Sequence, residues 1–257
     1  MADSTHTTGS RADSDDQPLL RVENLRTTFG SREPLTAVDG IGYDLREGET
    51  LGIVGESGAG KSVSVRSLVG LIDDGEVEGS VEWRGEELVG APQRQLREVR
   101  GSGIGMVFQN AESAFDPTET VGAQIVEAVR ANHDRTKREA REDAIDLLAE
   151  VGIGDPAGRF SDYPHEYSGG MAQRAVIAMA LAGEPDLLIA DEPTTGLDVS
   201  VQAGIVDLFR DLVAEREMSL LLISHDLGVV SQLCERIMVM YAGRIVEHGS
   251  RKAVLGS

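Results

Sequence analysis

A chain of 257 residues with 44 acidic and 24 basic side chains has a formal charge of −20, which argues against a protein that draws its affinity from a nucleic-acid backbone, where basic patches are needed. Its 40% of hydrophobic residues is enough for a sizeable core, and the single cysteine, Cys234, excludes an internal disulfide, a multi-cysteine zinc site and a cysteine-ligated cluster. No stretch approaches the roughly 18 apolar residues that cross a bilayer, and the Ser-, Thr- and Asp-rich start has no apolar run of the secretory kind.

Residues 1–18 read as a disordered acidic tail. Residues 20–28 alternate apolar and polar side chains and predict a half-buried strand. A second strand is expected over 37–44. The run TLGIV at 50–54 has the composition of a buried parallel strand. It stops at Gly55, and a helix is expected from about Gly60 to Ile72, followed by a strand over 77–84. Helical spacing returns over 121–131, with Ile125, Ala128 and Val129 on one face, and over 138–151, with Ile145, Leu148 and Ala149 on one face. Asp116-Pro117 and Asp155-Pro156 are natural breaks around this region. Residues 110–170 therefore read as a helical insertion. Beyond it come a helix over 171–181, a strand over 187–190, a helix over 201–216, a strand over 219–224 and a helix over 227–234. Strands at 237–241 and 244–247 flank Ala242-Gly243, a hairpin signal. Strands alternating with helices predict an α/β domain whose parallel sheet is covered on both faces.

The strongest motif is Gly55-Glu56-Ser57-Gly58-Ala59-Gly60-Lys61-Ser62, which fits G-x-x-x-x-G-K-[ST] between a strand and a helix. Glycines let the backbone curl so that its N–H groups point at phosphate oxygens, and the helix start adds its positive end. Lys61 is then a point charge for the outer phosphates, and the Ser62 hydroxyl is a ligand for Mg²⁺. The second motif is Leu187-Leu188-Ile189-Ala190-Asp191-Glu192: an apolar strand that delivers two carboxylates to its carboxyl end, where ligands of such sheets bind. Asp191 is expected in the Mg²⁺ shell, and Glu192 to polarise the water that attacks a γ-phosphate. The histidines His6, His133, His165 and His248 have no metal-ligand spacing. Cys234 reads as a small buried hydrophobe, and Trp83 as packing under a β-subdomain.

Ser168-Gly169-Gly170-Met171-Ala172-Gln173-Arg174, just upstream of the acidic strand, makes the resemblance specific. The chain resembles the nucleotide-binding domain of ATP-binding-cassette transporters from about Leu19 to Gly249. The resemblance implies a P-loop NTPase (RecA-like) core with an N-terminal antiparallel β-subdomain and an inserted α-helical subdomain. The domain would span 19–250, with a C-terminal tail at 251–257. Its cofactors would be ATP and Mg²⁺. The nucleotide-binding set would be the phosphate loop from Gly55 to Ser62, together with Val63, Gln109, Ser168, Gly169, Gly170, Asp198 and Phe29. Ser168, Gly169 and Gly170 would contact the γ-phosphate bound to an opposing subunit. Gln109 would be a metal ligand at the membrane partner's contact, alongside Ser62 and Asp191. Asp198 would sit in the loop through which subunits communicate. His225 would be the switch histidine, catalytic with Glu192 and Lys61. Phe29 would stack on adenine, although a ring there is also an ordinary core residue.

Longer phrases narrow the resemblance. Leu51-Gly52-Ile53-Val54-Gly55-Glu56-Ser57-Gly58, Tyr163-Pro164-His165-Glu166 and Ala190-Asp191-Glu192-Pro193-Thr194-Thr195-Gly196-Leu197-Asp198-Val199 are similar to the ATPases of oligopeptide, dipeptide and nickel importers. Met171 after the double glycine, with Ala178-Met179-Ala180-Leu181, is similar to one of two paralogous ATPases in such importers. The implied partners are the paralogous ATPase, or a second copy of this chain, two transmembrane permeases and, indirectly, an extracellular solute-binding protein. No nucleic acid is implied, and the implied place is the cytoplasmic face of the cell membrane. Tyr167 replaces the usual leucine, and similar ATPases usually continue beyond the point where this sequence stops, Ser257, so a short variant and a truncated chain are both open. Cassette proteins of DNA repair or translation are a competing class. One cysteine, one phosphate loop and the acid excess disfavour them, while an exporter ATPase would share the same chemistry. Three lysines against 21 arginines, with the charge of −20, lead us to expect a halophilic cytoplasm.

Overall fold

The computed structural model describes residues 17–30, 32–109 and 111–256. Most of the expected tail, His6 with it, lies outside the described residues. In chain order the first elements are β1 (Leu20–Phe29), β2 (Leu35–Leu45), β3 (Thr50–Val54), α1 (Lys61–Leu68), β4 (Gly75–Trp83) and β5 (Glu86–Glu87). Then come α2 (Gln93–Glu98), a π-turn at Val99–Gly103, β6 (Ile104–Val107), α3 (Ala111–Ala114), α4 (Val121–Asn132), α5 (Lys137–Glu150) and α6 (Pro156–Arg159). The remainder comprises α7 (Gly169–Leu181), β7 (Leu187–Asp191), α8 (Val199–Arg216), β8 (Ser219–Ser224), α9 (Leu227–Leu233), β9 (Arg236–Tyr241), β10 (Arg244–Ser250) and α10 (Arg251–Leu255).

Two sheets result. One is antiparallel, in the order β2-β1-β4-β5; the other runs β10-β9-β3-β8-β7-β6. In the second, only the β9–β10 pair is antiparallel, closed by a two-residue turn with Ala242 and Gly243 at φ 46° and 81°. Strands β3, β7 and β8 are buried at every residue, as expected for parallel strands covered on both faces. Their successive side chains feed opposite cores. Leu188, Ala190, Leu220 and Leu222 join the helical cluster, while Leu187, Ile189, Leu221 and Ile223 join the cluster under the antiparallel sheet.

Several expectations are corrected. Helix α1 stops at Leu68 rather than Ile72, because Gly70 turns left-handed at φ 63°. Its N–H bonds Ser67 O and that of Leu71 bonds Arg66 O, which closes the last turn. The buried face of α5 is Ala140, Ala144, Leu147 and Leu148; Ala149 is exposed and Ile145 only half-buried. The winning stripe follows i, i+4, i+7, i+8 onto α4 and α7. The expected C-terminal tail holds α10, capped by the Ser250 hydroxyl, which accepts from Ala253 N. Strand β6, absent from the expected elements, pairs in parallel with β7. Trp83 and Cys234 are both buried, at 6% and 0% exposure.

Candidate active site

The adjacent strands β3, β8, β7 and β6 end side by side, and each delivers one part of a single cavity of about 480 Å³. After β3 comes the phosphate loop, after β8 His225, after β7 Glu192, and after β6 Gln109. Glu56, Ser57, Gly58, Gly60, Lys61, Ser62 and Val63 line this cavity with Gln109, Glu192 and His225. Gly55 and Ala59 lie behind them; Ala59 is 5% exposed. Gly60, at φ 99°, caps α1 without a side-chain hydrogen bond. A Cβ on it would meet the Ala37 carbonyl at 2.2 Å, so the loop can pass β2 this closely only with glycine.

Lys61 is 6% exposed. Its ammonium donates to the carbonyls of Gly55 at 2.7 Å and Glu56 at 3.0 Å, and stands 3.7 Å from Glu192 Oε1. The Ser62 hydroxyl donates to Asp191 Oδ1 at 2.9 Å. Asp191 is 1% exposed, and its other oxygen, Oδ2, has no hydrogen-bond partner among the described residues. Burial pushes the Asp191 carboxyl above the ordinary range, against the pull of the Ser62 hydroxyl and Arg66. Glu192 sits at φ 52°, a left-handed backbone for a non-glycine residue, and is also buried. Its Oε2 accepts from His225 Nδ1 at 2.7 Å and from the Thr195 hydroxyl at 3.0 Å. A carboxylate only accepts, so Nδ1 of His225 carries the proton.

Other predicted residues stand apart from this cavity. Ser168 caps α7, its hydroxyl accepting from Met171 N at 3.3 Å; Ser168 and Gly169 are exposed. Gly169 lines a second cleft, with Gln173, Thr195, Gly196 and Leu197, and Gln109 borders both cavities. Asp198 caps α8, accepting from Ser200 N and Val201 N. The Ser200 hydroxyl and these amides hold its carboxyl below the usual range. Phe29 is outside the lining of the phosphate-loop cavity; its ring lies 2.9 Å from where a Cβ on Gly75 would stand. Tyr167 does more than pack: its buried hydroxyl donates to Arg159 O at 3.0 Å and is pushed up to about 12 by burial. Sequence reasoning missed Ala37 and Thr195. Ala37 has no local signal, since β2 brings it to the site by tertiary approach. Thr195 lies in the turn that follows Glu192, its N–H bonding Glu192 O at 3.2 Å, within a motif that gave it no role of its own.

The sequence profile described as "ABC transporter" matches residues 38–195, from β2 through the Thr195 turn. The chain belongs to the ABC transporter family. As a member of it, the chain is an ATP-binding ATPase, and its P-loop α/β fold is the one that its sequence predicts. This ABC cassette is 45% identical to the dipeptide transport ATP-binding protein DppD of Bacillus subtilis, over 93% of this chain and 72% of that protein. It is 47% identical to DppD of Escherichia coli, over 92% and 73%. Its fold matches the dimeric post-hydrolysis structure of the ATP-binding cassette MJ0796 bound to ADP and Pi, with a TM-score of 0.82 and 25% identity over 90% of this chain and 98% of that one.

Proposed function

We propose that this ABC ATPase powers import of peptides across the cell membrane, docked on the cytoplasmic face of two permease subunits. The observation that carries the reading is its 45–47% identity to dipeptide transport ATP-binding proteins over more than nine-tenths of the chain. Among the described residues no helix is long and apolar enough to cross a membrane. A second ATPase, paralogous or identical, would complete the site, a reading supported by Ser168 and Gly169 being exposed and outside the lining of this chain's own phosphate-loop cavity.

The residues fit Mg²⁺. It favours hard oxygen ligands and one or two carboxylates rather than an all-protein cage. Asp191 Oδ2 is a buried oxygen without a hydrogen-bond partner among the described residues, and the Ser62 hydroxyl lies on the same carboxylate. Ser62, Asp191 and, from across the cavity, Gln109 would hold the ion, which when bound neutralises charge on the β- and γ-phosphates. Lys61 exchanges its loop carbonyls for phosphate oxygens. Glu192 takes a hydrogen bond from the attacking water, and His225 and Thr195 hold the carboxylate in place through Oε2. Asp198 sets the start of α8 at the contact between subunits, and Phe29 supplies a ring near the adenine end.

Purifying the tagged chain from membranes tests the assignment. The expected result is recovery with two permeases and a second cassette ATPase; recovery with ribosomes or DNA instead would contradict it.

The acid excess belongs to solvated surface. Asp73, Asp74, Glu76 and Glu78 are all exposed, as are Glu142 and Asp146 on α5. Such a surface suits a salt-rich cytoplasm, since the screening length falls from about 10 Å at 0.1 M salt to about 3 Å at 1 M. Melting temperature is expected to rise steadily across that range of KCl; an unchanged Tm would contradict the halophilic reading.

A further inference from the structure

Three buried side-chain atoms lack a hydrogen-bond partner among the described residues: the Tyr43 hydroxyl, Asp191 Oδ2 and Gln173 Nε2. Tyr43 belongs to the core under the antiparallel sheet, and Asp191 to the phosphate site. Gln173 is different. It lies on α7, one turn after Gly169 and on the same face, and is 5% exposed. It lines the second cleft, which the turn of Thr195, Gly196 and Leu197 also lines. A buried carboxamide donor without an acceptor is costly, and here it borders a gap rather than packed atoms.

Thr195, which shares that cleft, leads to the reacting centre. The Thr195 hydroxyl donates to Glu192 Oε2 at 3.0 Å. A hydroxyl that donates once keeps lone pairs with which to accept. We propose that Gln173 is a positioning residue: as the cleft closes on nucleotide loading, its Nε2 donates to the Thr195 hydroxyl and fixes that hydroxyl on Glu192. The first turn of α7, which carries Ser168 and Gly169 towards the opposing subunit, is thereby linked through two hydrogen bonds to the carboxylate that acts on water. In the open cleft the donor is idle and the link is broken. The proposal rests on the assignment of Glu192 made above.

The test is a double-mutant cycle of Gln173→Leu and Thr195→Val in the 257-residue chain, with Glu192→Gln in parallel. Turnover, KM for ATP, ATP affinity and nucleotide-free Tm are read for each. Gln173→Leu is expected to lower kcat about tenfold, the size of one lost hydrogen bond. KM and ATP affinity should stay within about twofold, and the nucleotide-free Tm should be unchanged or higher, because the amide has no partner in that state. Thr195→Val should lower kcat similarly, and the double variant should be no slower than the slower single one. Wild-type kcat in Gln173→Leu, multiplying effects in the double variant, or a lowered Tm that accounts for the loss would each overturn the relay. If Glu192→Gln is inactive while Gln173→Leu turns over normally, the relay alone falls. Full turnover in Glu192→Gln would overturn the Glu192 assignment itself, and the relay with it.

Discussion

Replacing Glu192 with Gln is expected to lower ATP turnover by about 10²–10⁴-fold, the usual worth of a positioned general base, while ATP still binds. The amide is isosteric, and its oxygen still accepts from the His225 ring that now meets Oε2 at 2.7 Å. What disappears is the negative charge that draws a proton from water. Lys61, 3.7 Å from Glu192 Oε1, loses a competing anion and remains free to meet phosphate. Phosphate release and equilibrium binding of labelled ATP separate the two effects. Wild-type turnover in this variant would remove Glu192 from its role.

The second large effect is on binding. Lys61→Ala should abolish most of the stabilisation that ATP confers. A ligand at a hundredfold excess over its Kd stabilises the folded state by about 2.7 kcal/mol, and for a domain of this size each kcal/mol moves Tm by roughly 2–4 °C. Losing a charge-assisted hydrogen bond costs ~1.5–3 kcal/mol, enough to take away most of that shift. Without nucleotide, Lys61 also donates to two loop carbonyls and stands 3.7 Å from the buried Glu192 Oε1, so the nucleotide-free Tm should fall as well, and the ATP-dependent shift is read against each protein's own nucleotide-free Tm. Thermal melts with and without ATP and Mg²⁺ check both statements. An intact ATP-dependent shift in Lys61→Ala would contradict the placement of phosphate in the loop.

The parts of this site that are local in sequence were legible there. The loop from Gly55 to Ser62 carries its own backbone chemistry, and Asp191 and Glu192 end a strand whose apolar run is visible by eye. His225 likewise follows a buried strand directly. Elements fixed by distant partners were not legible. Strand β6 is short and preceded by the glycine-rich Gly101-Ser102-Gly103, and it forms because β7 offers a parallel edge. The Thr195 contact is local but was equally hidden: it forms within the turn after Glu192, whose backbone is left-handed at φ 52°, a state that no periodicity encodes. The face of α5 was misjudged because Ala140 and Ala144, small residues with a weak apolar signal, form half of the buried stripe. The ring of Phe29 lies beside Gly75, outside the lining of the phosphate-loop cavity.

Uptake of a labelled dipeptide tests the central claim most directly, in cells whose copy of this chain carries Glu192→Gln in place of the native residue. Uptake should fall to background, while a solute driven by an ion gradient enters at its normal rate. Dipeptide uptake that continues unchanged through the variant would contradict the account.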